Sequence, residues 1–265
     1  MDGRTDGIWR RGRLCCHCVL GETEHGLVLV DTGLGLQDVR SPSPRLSRFF
    51  LTLLSPDFRE EMTAVRQVER LGFRAADVRH IVLTHLDFDH AGGLDDFPDA
   101  VVHLMRQERV HAERQATWLD RQRFRPAQWS SRARWRVYDP AEGERWLGFS
   151  CVRALDGLPP DVVMVPLPGH TLGHAGIALD VGGTWLLQAG DAYFHRREMD
   201  LDDPGCTPGL RFYQTLMEKD RAARLENQER LRALKRVHGG EVQIVCAHDP
   251  DELERLTGRT LDMPA

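Results

Sequence analysis

The chain has 265 residues, of which 41% are hydrophobic and 28% are charged, and its formal net charge is −5. This length is enough to bury a sizeable core, in one large domain or in two small ones. The acidic balance gives no reason to expect a nucleic-acid-binding surface, which is usually clearly basic, and no apolar run is long enough to span a membrane. We therefore expect a soluble globular protein that binds neither nucleic acid nor a membrane.

The start of the chain carries no targeting signal that we can identify. Residues 1–13 are polar and include four arginines, and no apolar segment of signal-peptide length follows them. The sequence therefore predicts a cytoplasmic protein. Its six cysteines are expected to be buried reduced thiols. The alternation of Cys16, Cys18 and Leu20 favours core positions on one face of a strand; a structural metal held by the cluster that includes Cys15 is the alternative.

Two strands are predicted near the start of the chain. They cover residues 16–20 and 26–30, and the polar stretch 21–25 between them is typical of a hairpin loop. The second strand ends at Asp31-Thr32-Gly33, a sequence typical of a turn.

The segment 36–60 combines three prolines with a cluster of phenylalanine and leucine. Proline breaks long helices, yet the segment is too apolar to be a simple linker. It is predicted to be either a partly helical flap over a substrate pocket or a short helix packed in the core. A helix over residues 62–71 follows, with Val65, Val68 and Leu71 on one stripe.

A cluster of metal-binding residue types follows the apolar run 81–83, which predicts a short buried strand. Four side chains that can bind metals come within six residues of one another: His85, Asp87, Asp89 and His90. Mixed imidazole and carboxylate ligands suit zinc, iron, cobalt or manganese better than calcium or magnesium. A solvated, aspartate-rich helix start is the alternative, but a helix cap does not need two histidines.

The next part of the chain predicts a strand over residues 100–105 and a helix over residues 107–117. The segment 106–135 is rich in arginine and tryptophan. Interleaved aromatic and basic residues can bind nucleic acid, but the acidic balance elsewhere and the break at Pro126 favour an excursion that shapes a pocket wall. We expect this segment to set substrate preference.

Three further apolar runs also end in histidine or aspartate. The runs cover residues 162–165, 184–187 and 242–245, and they lead to His170, Asp191 and His248. Sites in α/β sheets assemble at the carboxyl ends of the strands. One such histidine alone is commonly a structural residue, but four strands that each deliver a candidate ligand predict a metal site at this edge.

The last third of the chain is predicted to be largely helical. Residues 209–238 have the composition and spacing of one or two amphipathic helices, closed by Gly239 and Gly240. Packing on the outer face of a sheet is favoured over a coiled-coil contact with a partner. A short helix over residues 251–256 follows the last strand.

The stretch Thr84-His85-Leu86-Asp87-Phe88-Asp89-His90-Ala91-Gly92-Gly93 resembles the H-x-H-x-D-H signature of the metallo-β-lactamase superfamily. It departs from the signature at Asp87, where the superfamily usually has a second histidine. The resemblance covers residues 16–250 and is nearest to the N-acyl homoserine lactonase-like branch. It implies a single domain over residues 1–265 with an α/β fold, the αββα sandwich of two mixed β-sheets flanked by helices.

The resemblance also implies a dinuclear metal site. The ligands that match the superfamily pattern are His85, Asp87 and His170 for the first ion, Asp89, His90 and His248 for the second, and Asp191 as the bridge between them. The same pattern gives Asp31 a structural role beneath the site, and His174 either a role in supporting a ligand or a role at a helix start. Tyr193 corresponds to a tyrosine that assists the substrate carbonyl in that branch. Asp89, Asp191 and Tyr193 are therefore expected to take part in catalysis.

By this resemblance, the protein is a metallo-hydrolase of a small-molecule ester or lactone that uses a metal-bound hydroxide. Two divalent ions are implied, zinc in the first place and iron or manganese as alternatives. A thioesterase or phosphodiesterase on the same centre is a further alternative, because fold and site do not fix the substrate. The sequence does not predict an oligomeric state.

Asp87 adds two alternatives. As a ligand, its carboxylate would lower the net charge of the centre from about +1 to about zero, which makes the centre a weaker Lewis acid. Its hard oxygen would shift the preference towards iron or manganese. The superfamily's flavodiiron proteins carry a carboxylate here, so a di-iron redox or oxygen-sensing protein is the alternative from a different class. If the side chain does not reach the metal, the ligands at positions 89, 90 and 248 would hold one ion.

Overall fold

The computed structural model describes residues 12–129, 134–139, 144–150 and 153–261. The predictions made for residues 1–11 and for Cys151 lie outside the described residues. The chain forms two compact units. We call residues 18–139 the amino-terminal unit, and we call the remainder, which includes residues 12–17, the carboxy-terminal unit. The prediction of a single domain over residues 1–265 stays a prediction.

The amino-terminal unit contains a five-stranded mixed sheet whose strands lie in chain order. The strands are β1 (Val19–Thr23), β2 (Gly26–Val30), β3 (Val78–Val82), β4 (Val101–Met105) and β5 (Trp135–Tyr138). β1 and β2 form the predicted antiparallel hairpin, and the other neighbours pair in parallel. Because β2 and β3 are parallel, their carboxyl ends lie at the same edge of the sheet. This pairing brings the turn after β2 next to the metal-binding motif after β3.

The described part of this unit also contains seven short helices. They are α1 (Leu36–Arg40), α2 (Pro42–Arg45), α3 (Arg48–Leu54), α4 (Ala64–Arg70), α5 (Phe88–Ala91), α6 (Arg106–Arg114) and α7 (Trp118–Arg123). Single 3-10 turns occur at Glu60–Met62, Ala75–Asp77, Gly92–Asp96 and Pro126–Gln128. Segment 36–60 is thus partly helical, as predicted, with prolines at its breaks.

Two details of these helices bear on the predictions. Phe50 in α3 is buried, and its ring centroid lies 4.7 Å from that of Phe88 in the motif helix α5. The flap role of the segment stays a prediction. In α4, Val65 and Val68 are buried as predicted, whereas Leu71 is 59% exposed because the helix has ended at Arg70. The expectation that Leu71 belongs to the buried stripe is therefore wrong.

The carboxy-terminal unit contains a second five-stranded mixed sheet, in the order β12-β11-β10-β9-β8, and a small two-stranded ribbon. The ribbon strands are β6 (Arg145–Trp146) and β7 (Phe149–Ser150); the sheet strands are β8 (Arg153–Ala154), β9 (Val162–Pro166), β10 (Ala175–Asp180), β11 (Trp185–Gln188) and β12 (Val242–Val245). β11 and β12 are parallel, and the other pairs of the sheet are antiparallel. β9, β11 and β12 match the three predicted apolar runs.

Strand β10 has no counterpart among the predicted elements. Its sequence contains alanine and glycine where strands usually carry large β-branched residues. At Gly176 the lack of a side chain has a packing reason, because a Cβ atom there would lie 2.9 Å from Leu167 Cδ1 and 3.1 Å from Leu187 Cδ1. The usual signal for a strand is therefore absent where the neighbours leave no room for a side chain.

The helices of this unit are α8 (Pro208–Met217), α9 (Arg221–His238) and α10 (Pro250–Thr257), with a 3-10 turn at Arg196–Met199. α9 buries Leu231 and Leu234 and packs against β12, as predicted for an outer helix. Among the described residues, none of the helices combines the length and the apolar character needed to cross a membrane. Two mixed sheets accompanied by helices confirm the predicted fold class.

The cysteine-rich start of the chain differs from the prediction. β1 begins at Val19, and the preceding backbone instead bonds to the carboxy-terminal unit, with His17 N donating to Ala247 O over 2.8 Å. Cys16 is exposed, so its predicted core position is wrong. No disulfide joins the cysteines of the described part of the chain; Cys246 is buried as predicted, whereas Cys15, Cys18 and Cys206 are only partly buried.

Candidate metal centre

The metal-binding motif of the amino-terminal unit lies in the loop after β3 and in helix α5. His85, Asp87 and His90 are at most 2% exposed, and Asp89 is half-buried. The Asp-Thr-Gly turn after β2 packs against the end of this motif, where a Cβ atom on Gly92 would lie 2.7 Å from the carbonyl oxygen of Gly33. The glycine that follows the motif is therefore needed for this close approach of two backbones.

Asp31 in this turn binds two parts of the motif. Its Oδ1 accepts the backbone N–H of Thr84 over 2.8 Å, and its Oδ2 accepts the Thr84 hydroxyl over 2.8 Å and His90 Nδ1 over 2.8 Å. The residue has a left-handed φ of 56°, which aspartate tolerates better than most side chains. The predicted structural role of Asp31 is thus a specific one, because it orients a candidate ligand.

These bonds determine which ring nitrogens of the two histidines can bind a metal. Asp31 is a carboxylate, so the proton between it and His90 lies on His90 Nδ1, and Nε2 keeps its lone pair. The Thr84 hydroxyl donates its only proton to Asp31, so it accepts from His85 Nδ1, which lies 2.9 Å away. Nε2 of both rings therefore carries a lone pair that could bind a metal, and both rings are held through Nδ1.

Asp87, the residue that departs from the superfamily signature, has two close neighbours. Its Oδ2 lies 3.3 Å from His85 Nε2. Both of its oxygens also accept hydrogen bonds from Arg123, at 2.6 Å from Nε and 2.5 Å from Nη2. Sequence reasoning did not identify Arg123, because it is one of many arginines in the segment 106–135.

The carboxy-terminal unit supplies three candidate ligands, each a few residues after a strand. His170 follows β9, Asp191 follows β11 and His248 follows β12, and all are at most 4% exposed. Asp191 lies between the two histidines: its Oδ2 is 3.2 Å from His170 Nε2, and its Oδ1 is 3.0 Å from His248 Nε2. Within this unit, the structure thus brings together the predicted bridge and its two histidines.

The Nε2 atom of His248, which faces Asp191, carries no proton when the ring is neutral. Its Nδ1 lies 2.7 Å from the carbonyl oxygen of Cys15, which can only accept, so the ring proton is on Nδ1. A lone pair on Nε2 then faces a carboxylate oxygen at 3.0 Å, which is unfavourable unless a cation or a second proton lies between them. The arrangement fits a bound metal ion.

The distances agree with this interpretation. Metal–nitrogen and metal–oxygen bonds of about 2.0 Å in a tetrahedral site place two ligand atoms about 3.3 Å apart. The three Nε2-to-carboxylate distances in the two units are 3.0, 3.2 and 3.3 Å. Each pair of ligand atoms within a unit is therefore spaced for one shared ion.

His174 supports Asp191 and is not at a helix start. Its Nε2 accepts the backbone N–H of Asp191 over 2.9 Å, and its Nδ1 donates to the carbonyl oxygen of Leu167 over 3.0 Å. The ring is fully buried. Of the two predicted roles for His174, the structure favours the support of a ligand.

Tyr193 is fully buried, and its hydroxyl lies 3.0 Å and 3.1 Å from the two carboxylate oxygens of Glu252. Glu252 also accepts the backbone N–H of Cys246 over 2.8 Å. Burial raises the pKa of Glu252 to about 7, and burial together with the Glu252 charge raises the pKa of Tyr193 well above its usual value. The catalytic role of Tyr193 stays a prediction, since its hydroxyl is engaged by a buried carboxyl group.

The fold is that of an α/β protein in which histidine and carboxylate side chains that can bind a metal follow the strands. A family model described as the metallo-beta-lactamase superfamily matches residues 11–240. The chain belongs to this superfamily, and the family resemblance and the hydrolase class predicted from the sequence are confirmed.

Similar proteins include a probable metallo-hydrolase and an N-acyl homoserine lactonase. A probable metallo-hydrolase of Mycobacterium tuberculosis is 45% identical over 239 residues, which are 90% of this chain and 76% of that protein. An N-acyl homoserine lactonase of Bacillus cereus is 26% identical over 170 residues, 64% of this chain and 60% of the lactonase.

A solved structure shares the fold. It is an N-acyl homoserine lactone hydrolase with the product N-hexanoyl-L-homoserine bound at the catalytic metal center, with a TM-score of 0.68 and 22% identity. The superposition covers 97% of this chain and 90% of that one. The protein described here is therefore a metallo-hydrolase with the metallo-β-lactamase fold and lactonase-like relatives.

Proposed function

We propose that this metallo-hydrolase cleaves an ester or a lactone of a small molecule, and that two zinc ions assist the reaction. The proposed ligands are those assigned from the sequence: His85, Asp87, Asp89, His90, His170, Asp191 and His248. Asp191 is the proposed bridge. Zinc suits the mixture of imidazole and carboxylate donors, and the neutral imidazole of histidine is the commonest metal ligand in proteins.

One observation carries the proposal. In each unit, a histidine Nε2 faces a carboxylate oxygen at 3.0 to 3.3 Å, while the Nδ1 of His85 and of His248 bonds to a protein oxygen. Two acceptors at this separation repel each other without a cation between them, and Nδ1 bonds of this kind orient metal-binding histidines.

When bound, divalent metal ions lower the pKa of a water molecule towards neutrality and polarise a substrate carbonyl. The protein's contribution is to fix the positions of the ligands. Asp31 holds His90 directly and His85 through Thr84. In the carboxy-terminal unit, the carbonyl oxygen of Cys15 orients His248. The ring of His174 holds the backbone of Asp191. Such bonds prevent the ligand rings from rotating, which keeps the site arranged before substrate binds.

The names of the relatives support a lactone as the substrate. The Bacillus cereus relative is named an N-acyl homoserine lactonase, and the similar solved structure holds the product of such a reaction. We therefore place N-acyl homoserine lactones first among the substrates to test. Thioesters and phosphodiesters follow, because the same centre can serve either reaction.

The test combines metal analysis with hydrolysis. Purified protein is expected to contain two zinc ions and to release acid from a lactone or ester in a pH-stat assay. Asp191→Asn should lower this rate by about 10²-fold or more, since it weakens the proposed bridge between the ions. Asp202→Asn, an exposed aspartate of the same unit, is the matched control and should behave as the parent does.

Two results would contradict the proposal. The bridging assignment fails if folded Asp191→Asn turns over substrate at a nearly normal rate. If the parent binds two ions but hydrolyses none of the lactones and esters, the substrate assignment fails and the thioester and phosphodiester panel replaces it. Bound iron with a visible absorption band that responds to reduction would favour the redox alternative.

A further inference from the structure

Asp87 and Arg123 form a bidentate ion pair that is almost completely buried. Arg123 Nε donates to Asp87 Oδ1 over 2.6 Å, and Arg123 Nη2 donates to Asp87 Oδ2 over 2.5 Å. The Arg123 side chain is 0% exposed and that of Asp87 is 3% exposed. A planar guanidinium that meets both oxygens of a carboxylate is the strongest geometry for such a pair.

The backbone holds the two residues in register. Asp87 directly precedes helix α5, and Arg123 is the last residue of helix α7. Asp87 forms an isolated antiparallel bridge with Phe124, the neighbour of Arg123. The Arg123 guanidinium also lies 5.4 Å from the centre of the buried Phe124 ring. The ion pair is therefore a fixed part of the motif and not a mobile surface contact.

The pair leaves Asp87 able to bind a metal ion. An ionised carboxylate has about four acceptor positions, and the two bonds from Arg123 use one on each oxygen. Asp87 Oδ2 lies 3.3 Å from His85 Nε2, the nitrogen that keeps a lone pair because Nδ1 bonds to Thr84. This separation equals the spacing of about 3.3 Å between two ligand atoms of one tetrahedral ion.

We propose that Asp87 and Arg123 together replace the histidine that the superfamily signature has at position 87. Asp87 supplies the ligand oxygen, and Arg123 supplies a positive charge that cancels the charge of the added carboxylate. The inference rests on the proposed function only in taking His85 and Asp87 as ligands of one ion. Arg123 is a positioning residue, because it acts on the metal through Asp87.

Charge balance is the main consequence. A carboxylate alone would bring the net charge of the centre from about +1 to about zero, whereas the carboxylate–guanidinium pair leaves it at about +1, as a neutral histidine does. The centre therefore keeps the Lewis acidity of the histidine form. The hard oxygen of Asp87 is then the remaining reason at this position to expect iron or manganese.

A double-mutant cycle tests whether the two residues act as one unit. The variants are Asp87→His, Arg123→Gln and the combination of the two. The readouts are zinc content by elemental analysis, zinc affinity by competition with a chelator, and the preference for zinc over manganese. None of these readouts depends on turnover. Arg121→Gln, an exposed arginine on the same helix, is the matched control.

Restoring the histidine of the superfamily signature by Asp87→His is not expected to improve zinc binding. Asp87→His alone should weaken the binding of one zinc ion by about tenfold or more, because it leaves a buried guanidinium without its counter-charge near the ion. Arg123→Gln alone should shift the preference towards manganese, because Asp87 then keeps its full charge. The double variant should bind zinc within about threefold of the parent, since both the charge and the nitrogen ligand are restored.

Other results would overturn the inference. If Asp87→His alone binds zinc as tightly as the parent or more tightly, with no effect of Arg123, the residues do not act as a unit. If Asp87→Asn, which is close in shape and therefore safer for folding, binds two zinc ions with parental affinity, Asp87 is not a ligand and Arg123 merely neutralises it. Coupling between the two residues without any ester or lactone hydrolysis would contradict the proposed function alone.

Discussion

Asp31 accepts the Nδ1–H of His90 over 2.8 Å, and the two residues are 59 positions apart in the chain. The same Asp31 oxygen accepts the hydroxyl of Thr84, which in turn accepts from His85. Asp31 thereby orients two candidate ligands, His85 and His90, which are five positions apart in the sequence. This explains how an Asp-Thr-Gly turn without any direct chemical role can still determine how well the motif binds a metal.

Asp31→Asn should weaken metal binding by about 10- to 100-fold without removing a ligand. Asparagine tolerates the left-handed backbone of this position, but it can no longer accept from both Thr84 and His90 with a carboxylate oxygen. Zinc affinity, measured by competition with a chelator, checks the prediction. Asp99→Asn changes an exposed aspartate of the same unit and is the matched control. Unchanged affinity in Asp31→Asn would mean that the motif holds its histidines without this turn.

His174→Phe should also weaken metal binding, although His174 is not a proposed ligand. Phenylalanine fills a similar volume but leaves the Asp191 N–H and one bond to Leu167 O unmade. We expect a loss of about 1–3 kcal/mol in the free energy of unfolding and about tenfold or more in zinc affinity. Urea unfolding and chelator competition measure the two effects. A variant that loses stability but keeps parental zinc affinity would limit His174 to a structural role; His25→Phe, in an exposed loop, is the control.

His103 should make the stability of the protein depend on pH. The ring is fully buried between His80 Nδ1 at 2.9 Å and the Tyr138 hydroxyl at 2.7 Å, and burial lowers its pKa from 6.5 to about 3. Between pH 6.5 and pH 3, His103 is therefore protonated in the unfolded state but neutral in the native state. Stability from this residue is therefore fully present above pH 6.5 and is lost as the pH falls towards 3.

The measurement is the free energy of unfolding in urea at pH 7.5 and at pH 5.5. His103 should account for a loss of about 1 kcal/mol between these two values. His103→Gln lacks the titrating group, so the loss in its free energy of unfolding over the same interval should be smaller by about 1 kcal/mol. All other titratable groups are the same in the two proteins, so the comparison isolates His103. Equal pH dependence of the two proteins would show that the pKa of His103 is the same in the native and the unfolded state.

Tyr193→Phe separates the catalytic role predicted for Tyr193 from a structural one. Since the hydroxyl bonds to buried Glu252, we expect the variant to lose about 1 kcal/mol of stability and to keep its turnover rate within about threefold of the parent's. Thermal unfolding and hydrolysis of the lactone that the parent cleaves are the measurements. If the turnover rate instead falls by about 10²-fold or more, the result supports the catalytic role of Tyr193.

The candidate ligands could be predicted because each lies in a local pattern. His85, His170 and His248 each follow an apolar run within a few residues, and such a run forms a strand wherever it is buried. The structure contains these strands at β3, β9 and β12. By contrast, β10 could not be predicted, because its alanines and glycine lack the large β-branched pattern that indicates a strand, and Gly176 has no room for a side chain.

The sequence by itself thus determined most strands of the two sheets and the histidines and aspartates that follow them. Only the tertiary structure decided what surrounds those residues. Arg123 lies 36 positions from Asp87, and it is one arginine among many in its segment. Nothing in its local sequence distinguishes it, because a buried ion pair depends on which helix ends meet, and that is decided by the packing of the whole unit.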